Sequence, residues 1–174
     1  MKSYEIHKAS ASSDIKCSVI TVSTSRYTEA SKGHRVNDVS GSMIAEKFLQ
    51  KGYSIISRKI VSDSIKMIRK ETLKSIYEEG CNVVILTGGT GLTSSDVTIE
   101  ALSSLFDKEL PGFGEIFRSQ TFLKIKSVAL VSRAVAGIIS GCAVFCLPGS
   151  PDAIEMAIEI VVDELPHIVK HACE

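Results

Sequence analysis

Short runs of Val, Ile and Leu without polar alternation recur along this chain, separated by stretches of helical periodicity. Four stand out: Cys17–Val22, Val83–Leu86, Val128–Val131 and Ala143–Leu147. Such runs are expected of strands covered on both faces. A fifth, Tyr53–Val61, is more mixed and reads as a strand nearer an edge. Of the helical stretches, 38–51 carries Met43, Ile44 and Phe48 on one side and stops at Gly52. The next, 64–79, places Ile65, Ile68, Leu73 and Ile76 near one stripe and stops at Gly80. The last helix, from Asp152, is apolar around much of its circumference, which predicts deep burial or a place in a subunit interface. Pro166 is expected to bend or break it. Alternating strand and helix predicts one α/β doubly wound domain over 15–174, with a mostly parallel sheet and helices on both faces. Residues 1–14 read as a polar N-terminal extension.

Charge and cysteine usage narrow the partners. The 174 residues carry 20 Lys+Arg against 20 Asp+Glu, a formal net charge of zero. A protein that coats nucleic acid or an anionic membrane normally shows a basic excess, so neither is expected as a partner. No run approaches the ~18 apolar residues that span a bilayer, and the first 14 residues lack the apolar stretch of a signal peptide. The five cysteines are an odd number at no metal-ligand spacing, and Cys17, Cys142 and Cys146 sit inside apolar runs as small buried hydrophobes. A soluble protein in the reducing cytoplasmic compartment is expected.

In a doubly wound domain ligands bind beyond the carboxyl ends of the strands, so the loops there carry the chemistry. The strongest candidate is Thr87-Gly88-Gly89-Thr90-Gly91, directly after an apolar run. Three glycines in four positions allow successive amides to point at one anion, although a tight strand-to-helix turn that binds nothing uses the same residues. The loop is neither a Walker A loop nor the GxGxxG fingerprint. The following helix is expected near Thr98, with Glu100 in its first turn. Asp63 and Asp96 lie in comparable positions after the second and third strands. Carboxylates beside a polyphosphate site point to Mg²⁺, and the alternative is that each caps a helix. Three further segments read as loops of the same cleft: Ser23-Thr24-Ser25-Arg26 continuing to Ser40-Gly41, Pro111–Arg118, and Pro148-Gly149-Ser150. His167 and His171 read as solvent-facing. Lys66, Arg69, Lys70 and Lys74 read as the wet side of a helix.

The segments TGGTG…SDVTIEAL (87–102), LFDKELPGFGEIFR (105–118), SRAVAG (132–137) and LPGSPDA (147–153) together resemble the MoaB/MogA family of molybdenum-cofactor biosynthesis proteins. The resemblance runs from about Val19 to the final helix and leans towards MoaB. It implies the molybdopterin-binding fold and transfer of AMP from ATP to the terminal phosphate of molybdopterin, with pyrophosphate released. By motif, Gly88, Gly89, Thr90 and Gly91 would hold phosphate. Asp63 and Asp96 would be the catalytic carboxylates and ligands of Mg²⁺. Ser23, Ser40, Gly41, Ser132, Pro148, Gly149 and Ser150 would complete the molybdopterin and nucleotide pockets. The family also implies a homotrimer or homohexamer and transfer of the product to a molybdenum-insertion protein. The other expectations are a non-catalytic molybdopterin-binding or scaffold protein, or a nucleotide pyrophosphatase on the related domain of competence-damage proteins. Family members commonly carry Arg before the Asp of the glycine-loop motif and Pro after its Thr, where this chain has Ser95 and Ile99, and Asp or Asn where Thr24 stands.

Overall fold

The computed structural model describes residues 14–174, so the extension expected at 1–14 lies outside the described residues except for Asp14. Along the chain run β1 (Lys16–Val22), α1 (Thr24–Ser31), α2 (Val39–Gln50), β2 (Ser54–Val61), α3 (Ile65–Tyr77), β3 (Val83–Thr87) and α4 (Thr98–Leu102). They are followed by β4 (Lys108–Glu109), α5 (Pro111–Ile125), β5 (Val135–Ile139), β6 (Cys142–Leu147), α6 (Pro151–Val161) and α7 (Leu165–Ala172). The six strands form one sheet in the order β2-β1-β3-β6-β5-β4. The four strands from β2 to β6 are parallel, whereas β5 runs antiparallel to β6 and β4 antiparallel to β5. The doubly wound α/β class expected from the apolar runs is therefore the fold found, with an antiparallel edge.

Burial follows the same logic. β1, β3 and β6 are buried along nearly their whole length, while β2, at the edge, alternates. One core layer packs Ile44, Phe48, Phe117, Ile154, Ile158 and Leu165 against the sheet. The other packs Ile68, Ile76, Ala101 and Leu102 against its opposite face. Gly52 and Gly80 stop their helices with φ of 80° and 67°, as their sequence positions predict. The apolar final stretch divides into α6 and α7 just before Pro166, and most of its large side chains are buried in the chain's own core, with Ile160 and Ile168 partly so. Cys17, Cys142 and Cys146 are buried as expected, and burial pushes the Cys146 thiol up to about 12.

Five expectations are corrected. The segment from Ser23 to Gly41 is not one loop: Thr24-Ser25-Arg26 open α1 behind the N-cap Ser23, and Ser40-Gly41 lie in the first turn of α2. Val128–Val131 is not a strand: Lys126–Val131 is a 3-10 segment with Val128, Leu130 and Val131 exposed, and the strand beside β6 is β5. Pro111–Arg118 is not a loop but the first half of α5, opened by a proline at its first position. Arg69 is not simply solvated, since its Nε donates to the Ala101 carbonyl at 2.7 Å and ties α3 to α4. His167 is half-buried, its ring set edge-on against His171 at 4.5 Å between centroids.

Between β2 and α3 lies a polar network. Lys59 Nζ reaches Glu79 Oε1 at 2.8 Å and donates to Ser75 Oγ at 3.0 Å, and Ser57 Oγ donates to Glu79 Oε2 at 2.7 Å. Burial works against the Glu79 carboxylate, but the hydrogen bonds from Lys59 and Ser57 outweigh it and hold its pKa below the ordinary value. A depressed carboxylate pKa contributes stability that is present above the unfolded-state value, about 4.3 for Glu, and is lost as pH falls through the folded value. Glu79→Gln is therefore expected to flatten the acid limb of the stability–pH curve, measured by urea unfolding between pH 3 and 7. An unchanged acid limb would refute this assignment.

Candidate functional site

The parallel strands β1, β2, β3 and β6 discharge their chains at one end of the sheet, beyond their carboxyl termini, and β5, being antiparallel to β6, begins there (Val135 pairs with Cys146). This topology gathers the sequence-predicted residues. Ser23 N-caps α1, and its amide donates to the Val61 carbonyl at 2.8 Å, so the β1 and β2 exits are joined. The Gly88 amide donates to the Leu147 carbonyl at 3.0 Å, and Thr87 Oγ1 donates to the Pro148 carbonyl at 3.1 Å. A Cβ on Gly149 would stand 3.4 Å from Gly88 Cα. Ser40, buried in the first turn of α2, donates to the Gly149 carbonyl at 2.8 Å. Gly41 is buried behind it, because a Cβ there would strike the Asp38 and Thr21 side chains.

The glycine loop is polarised. Its carbonyls are tied back one after another: Gly88 O accepts from Thr98 Oγ1 (2.8 Å), Gly89 O from Thr98 N (2.9 Å) and Thr90 O from Arg133 Nε (3.0 Å). In a trans peptide the C=O and the next N–H point in opposite directions. Anchoring the carbonyls of 88 and 89 therefore turns the amides of Gly89 and Thr90 to the opposite side of the loop, where among the described residues neither has a protein acceptor, although Thr90 itself is buried. Gly88 and Gly89 adopt φ of 94° and 61°, a run of backbone suited to making such an amide nest.

Two carboxylates flank the loop, and neither caps the helix that follows it, since α3 and α4 have no side-chain cap bond. Asp63 is clasped to Thr24: Thr24 N and Oγ1 donate to its Oδ2 at 2.8 and 2.7 Å, and the Asp63 amide donates back to Thr24 Oγ1 at 3.0 Å. Its Oδ1 faces the loop, 3.0 Å from where a Cβ on Gly89 would stand. Asp96 Oδ2 accepts from Thr93 Oγ1 and N at 2.6 and 2.9 Å. The Thr93 hydroxyl holds the Asp96 carboxyl below the usual carboxylate range against partial desolvation, helped by the amides of Thr93 and Gly91 and by the charge of Arg133. Ser132, Pro148 and Ser150 share a separate cavity of about 380 Å³, walled by Phe117, Val131 and Met156.

Sequence reasoning passed over Arg133, Thr98 and Thr93, which hold the loop and Asp96. Arg133 and Thr98 stand inside the quoted segments SRAVAG and SDVTIEAL, but their contacts depend on where β5 and α4 lie.

Fold and loop define a doubly wound α/β domain with a glycine-rich loop of unpartnered amides at its strand ends. The chain belongs to the family described as "Probable molybdopterin binding domain", which matches residues 18–167. It is 40% identical to "Molybdenum cofactor biosynthesis protein B" of Bacillus subtilis, over 97% of this chain and 96% of that protein. It is likewise 40% identical to a "Molybdopterin adenylyltransferase" of Pyrococcus furiosus, over 98% of each chain. Among solved structures, the tungsten cofactor synthesizing protein MoaB from Pyrococcus furiosus superposes with a TM-score of 0.84 at 40% identity, covering 94% of this chain and all of that one.

Proposed function

We propose that this protein transfers AMP from ATP to the terminal phosphate of molybdopterin, with Mg²⁺, in molybdenum-cofactor biosynthesis. The observation that carries the reading is the glycine loop between two carboxylates, whose carbonyls are held and whose Gly89 and Thr90 amides have no protein acceptor among the described residues. The name of the Pyrococcus relative supports the reaction class. An oxygen of the molybdopterin phosphate bonds to the α-phosphorus of ATP while the bond from that phosphorus to the β-bridging oxygen breaks. Its electron pair leaves with pyrophosphate. The chain's contribution is placement and charge stabilisation: the Gly89 and Thr90 amides hold phosphate oxygens, and Ser23, Ser40, Gly41, Gly91, Ser132, Pro148, Gly149 and Ser150 shape the two pockets.

Mg²⁺, when bound, neutralises phosphate charge. Asp63 and Asp96 suit it, because Oδ2 of each is taken by a threonine while Oδ1 of Asp63 faces the loop. No group of three or more His, Cys, Asp or Glu that could hold a metal occurs among the described residues. That agrees with an ion that takes one or two carboxylates and completes its shell with water and phosphate. Incubation with molybdopterin, ATP and Mg²⁺ is expected to give adenylylated molybdopterin. Binding without ATP-dependent product would leave a holding or scaffold role instead. Pyrophosphate release without pterin would indicate a pyrophosphatase.

The setting proposed is cytoplasmic, with the product passed to a molybdenum-insertion protein. Among the described residues, no helix is long and apolar enough to cross a membrane. A homotrimer or homohexamer is supported by the apolar side chains exposed on α5 and the turn after it, Ile116, Phe122, Leu123, Ile125, Val128 and Leu130. Leu130, 86% exposed, is the most prominent. Leu130→Asp is expected to lower the mass seen by light scattering to that of a smaller species. A wild-type monomer at micromolar concentration, or an unchanged mass in the variant, would count against this surface.

A further inference from the structure

Of the three anchored loop carbonyls, two are held from α4 by Thr98, close in sequence. The third is held from across the sheet, by the residue that leads into β5. Arg133 uses two arms: Nε on the Thr90 carbonyl at 3.0 Å and Nη2 on Glu100 Oε1 at 2.7 Å. The planar fork can make both bonds at once, which an ammonium on a flexible stem cannot reproduce. Fixing the Thr90 carbonyl fixes the 90–91 peptide, and so sets the plane in which Gly91 lies against the Asp96 carboxylate. Space around that peptide is scarce, since a Cβ on Gly91 would stand 2.7 Å from Asp96 Oδ2.

We propose that Arg133 is a positioning residue of this site: it sets the 90–91 peptide so that Gly91 stays packed against Asp96 and the loop keeps its shape, with Glu100 orienting the guanidinium. The proposal rests on the adenylyl-transfer reading above. Loss of a charge-assisted hydrogen bond at a peptide that carries the phosphate loop is expected to raise the KM for ATP ~10-fold or more in Arg133→Ala. The proposal assigns ATP to the glycine loop and molybdopterin to the separate cavity lined by Ser132, Pro148 and Ser150, so the KM for molybdopterin should stay within about twofold. Methylguanidinium at sub-denaturing concentration should restore part of the ATP affinity. Arg133→Lys, which keeps charge without the fork, should fall between wild type and Arg133→Ala, and Glu100→Gln should show the same ATP-selective effect in weaker form.

An unchanged KM for ATP, an equal rise in both KM values, or no recovery with methylguanidinium would overturn the proposal. Wild-type protein that makes no adenylylated product would refute the reaction reading separately. In that case hydrogen exchange at the Gly91 amide decides the positioning role: faster exchange in Arg133→Ala, slowed again by methylguanidinium, supports it, and unchanged exchange refutes it. If Arg133→Ala fails to fold, Arg133→Lys and Glu100→Gln carry the same comparison.

Discussion

Asp96→Asn is expected to slow AMP transfer by about 10²–10³-fold, the range seen when one preorganised electrostatic group is removed from an active site. The substitution is chosen because it is nearly isosteric. An amide oxygen can still accept from Thr93 Oγ1 and N, the two bonds that hold the side chain at 2.6 and 2.9 Å. The loop after β3 should therefore keep its shape, and the melting temperature should stay close to wild type. What is lost is the negative charge, which the Thr93 hydroxyl and its neighbours keep ionised. Asp96→Ala should be at least as inactive, but it also removes the acceptor, so the asparagine variant is the sharper test. Product formation by Asp96→Asn within tenfold of wild type would mean that the charge is not required. Asp63→Asn should behave similarly, since an amide oxygen can still accept from Thr24 N and Oγ1.

Gly88→Ala is expected to destabilise the fold by about 2–4 kcal/mol, through a left-handed backbone and a backbone collision together. Gly88 sits at φ 94°, and a Cβ there would stand 2.4 Å from the carbonyl oxygen of Val22 in central strand β1. Relief requires the loop to move, which would strain the Gly88 amide bond to Leu147 that joins the exits of β3 and β6. Gly33→Ala supplies the control: φ is 80° but nothing lies within 4 Å of the new Cβ. It should show only the conformational penalty, about 1 kcal/mol. Urea unfolding of the two variants separates the effects, and equal losses would show that the collision is relieved at no cost.

The fold class was legible because β1, β3 and β6 are buried on both faces, and continuous burial leaves a continuous apolar run in sequence. The same rule misread Val128–Val131. Val128, Leu130 and Val131 are apolar yet exposed on the turn after α5, and apolarity alone cannot distinguish a strand core from an apolar surface patch. The strand missed, Val135–Ile139, carried a different signal. Ser140-Gly141, with φ of 49° and 78°, is a two-residue hairpin turn that joins β5 to β6. The glycine loop, Asp63 and Asp96 were legible as a group because parallel strands deliver their following loops to one end of the sheet. Their partners were less so: Thr24 lies 39 positions from Asp63, and Arg133 lies 43 from Thr90.

By itself, then, the sequence determined the doubly wound class, the end of the sheet at which the ligand loops gather, and the glycines and carboxylates standing there. These follow from local causes: apolar runs, helix stops and backbone permissiveness. Only the tertiary structure decided that β5 enters antiparallel and brings Ser132 and Arg133 to that end, that the loop's carbonyls are anchored while its Gly89 and Thr90 amides have no protein acceptor among the described residues, and that Asp63 clasps α1 instead of capping its own helix. The physical reason is that a hydrogen bond's partner is set by where the sheet order places two loops, and sequence separation carries no record of that order.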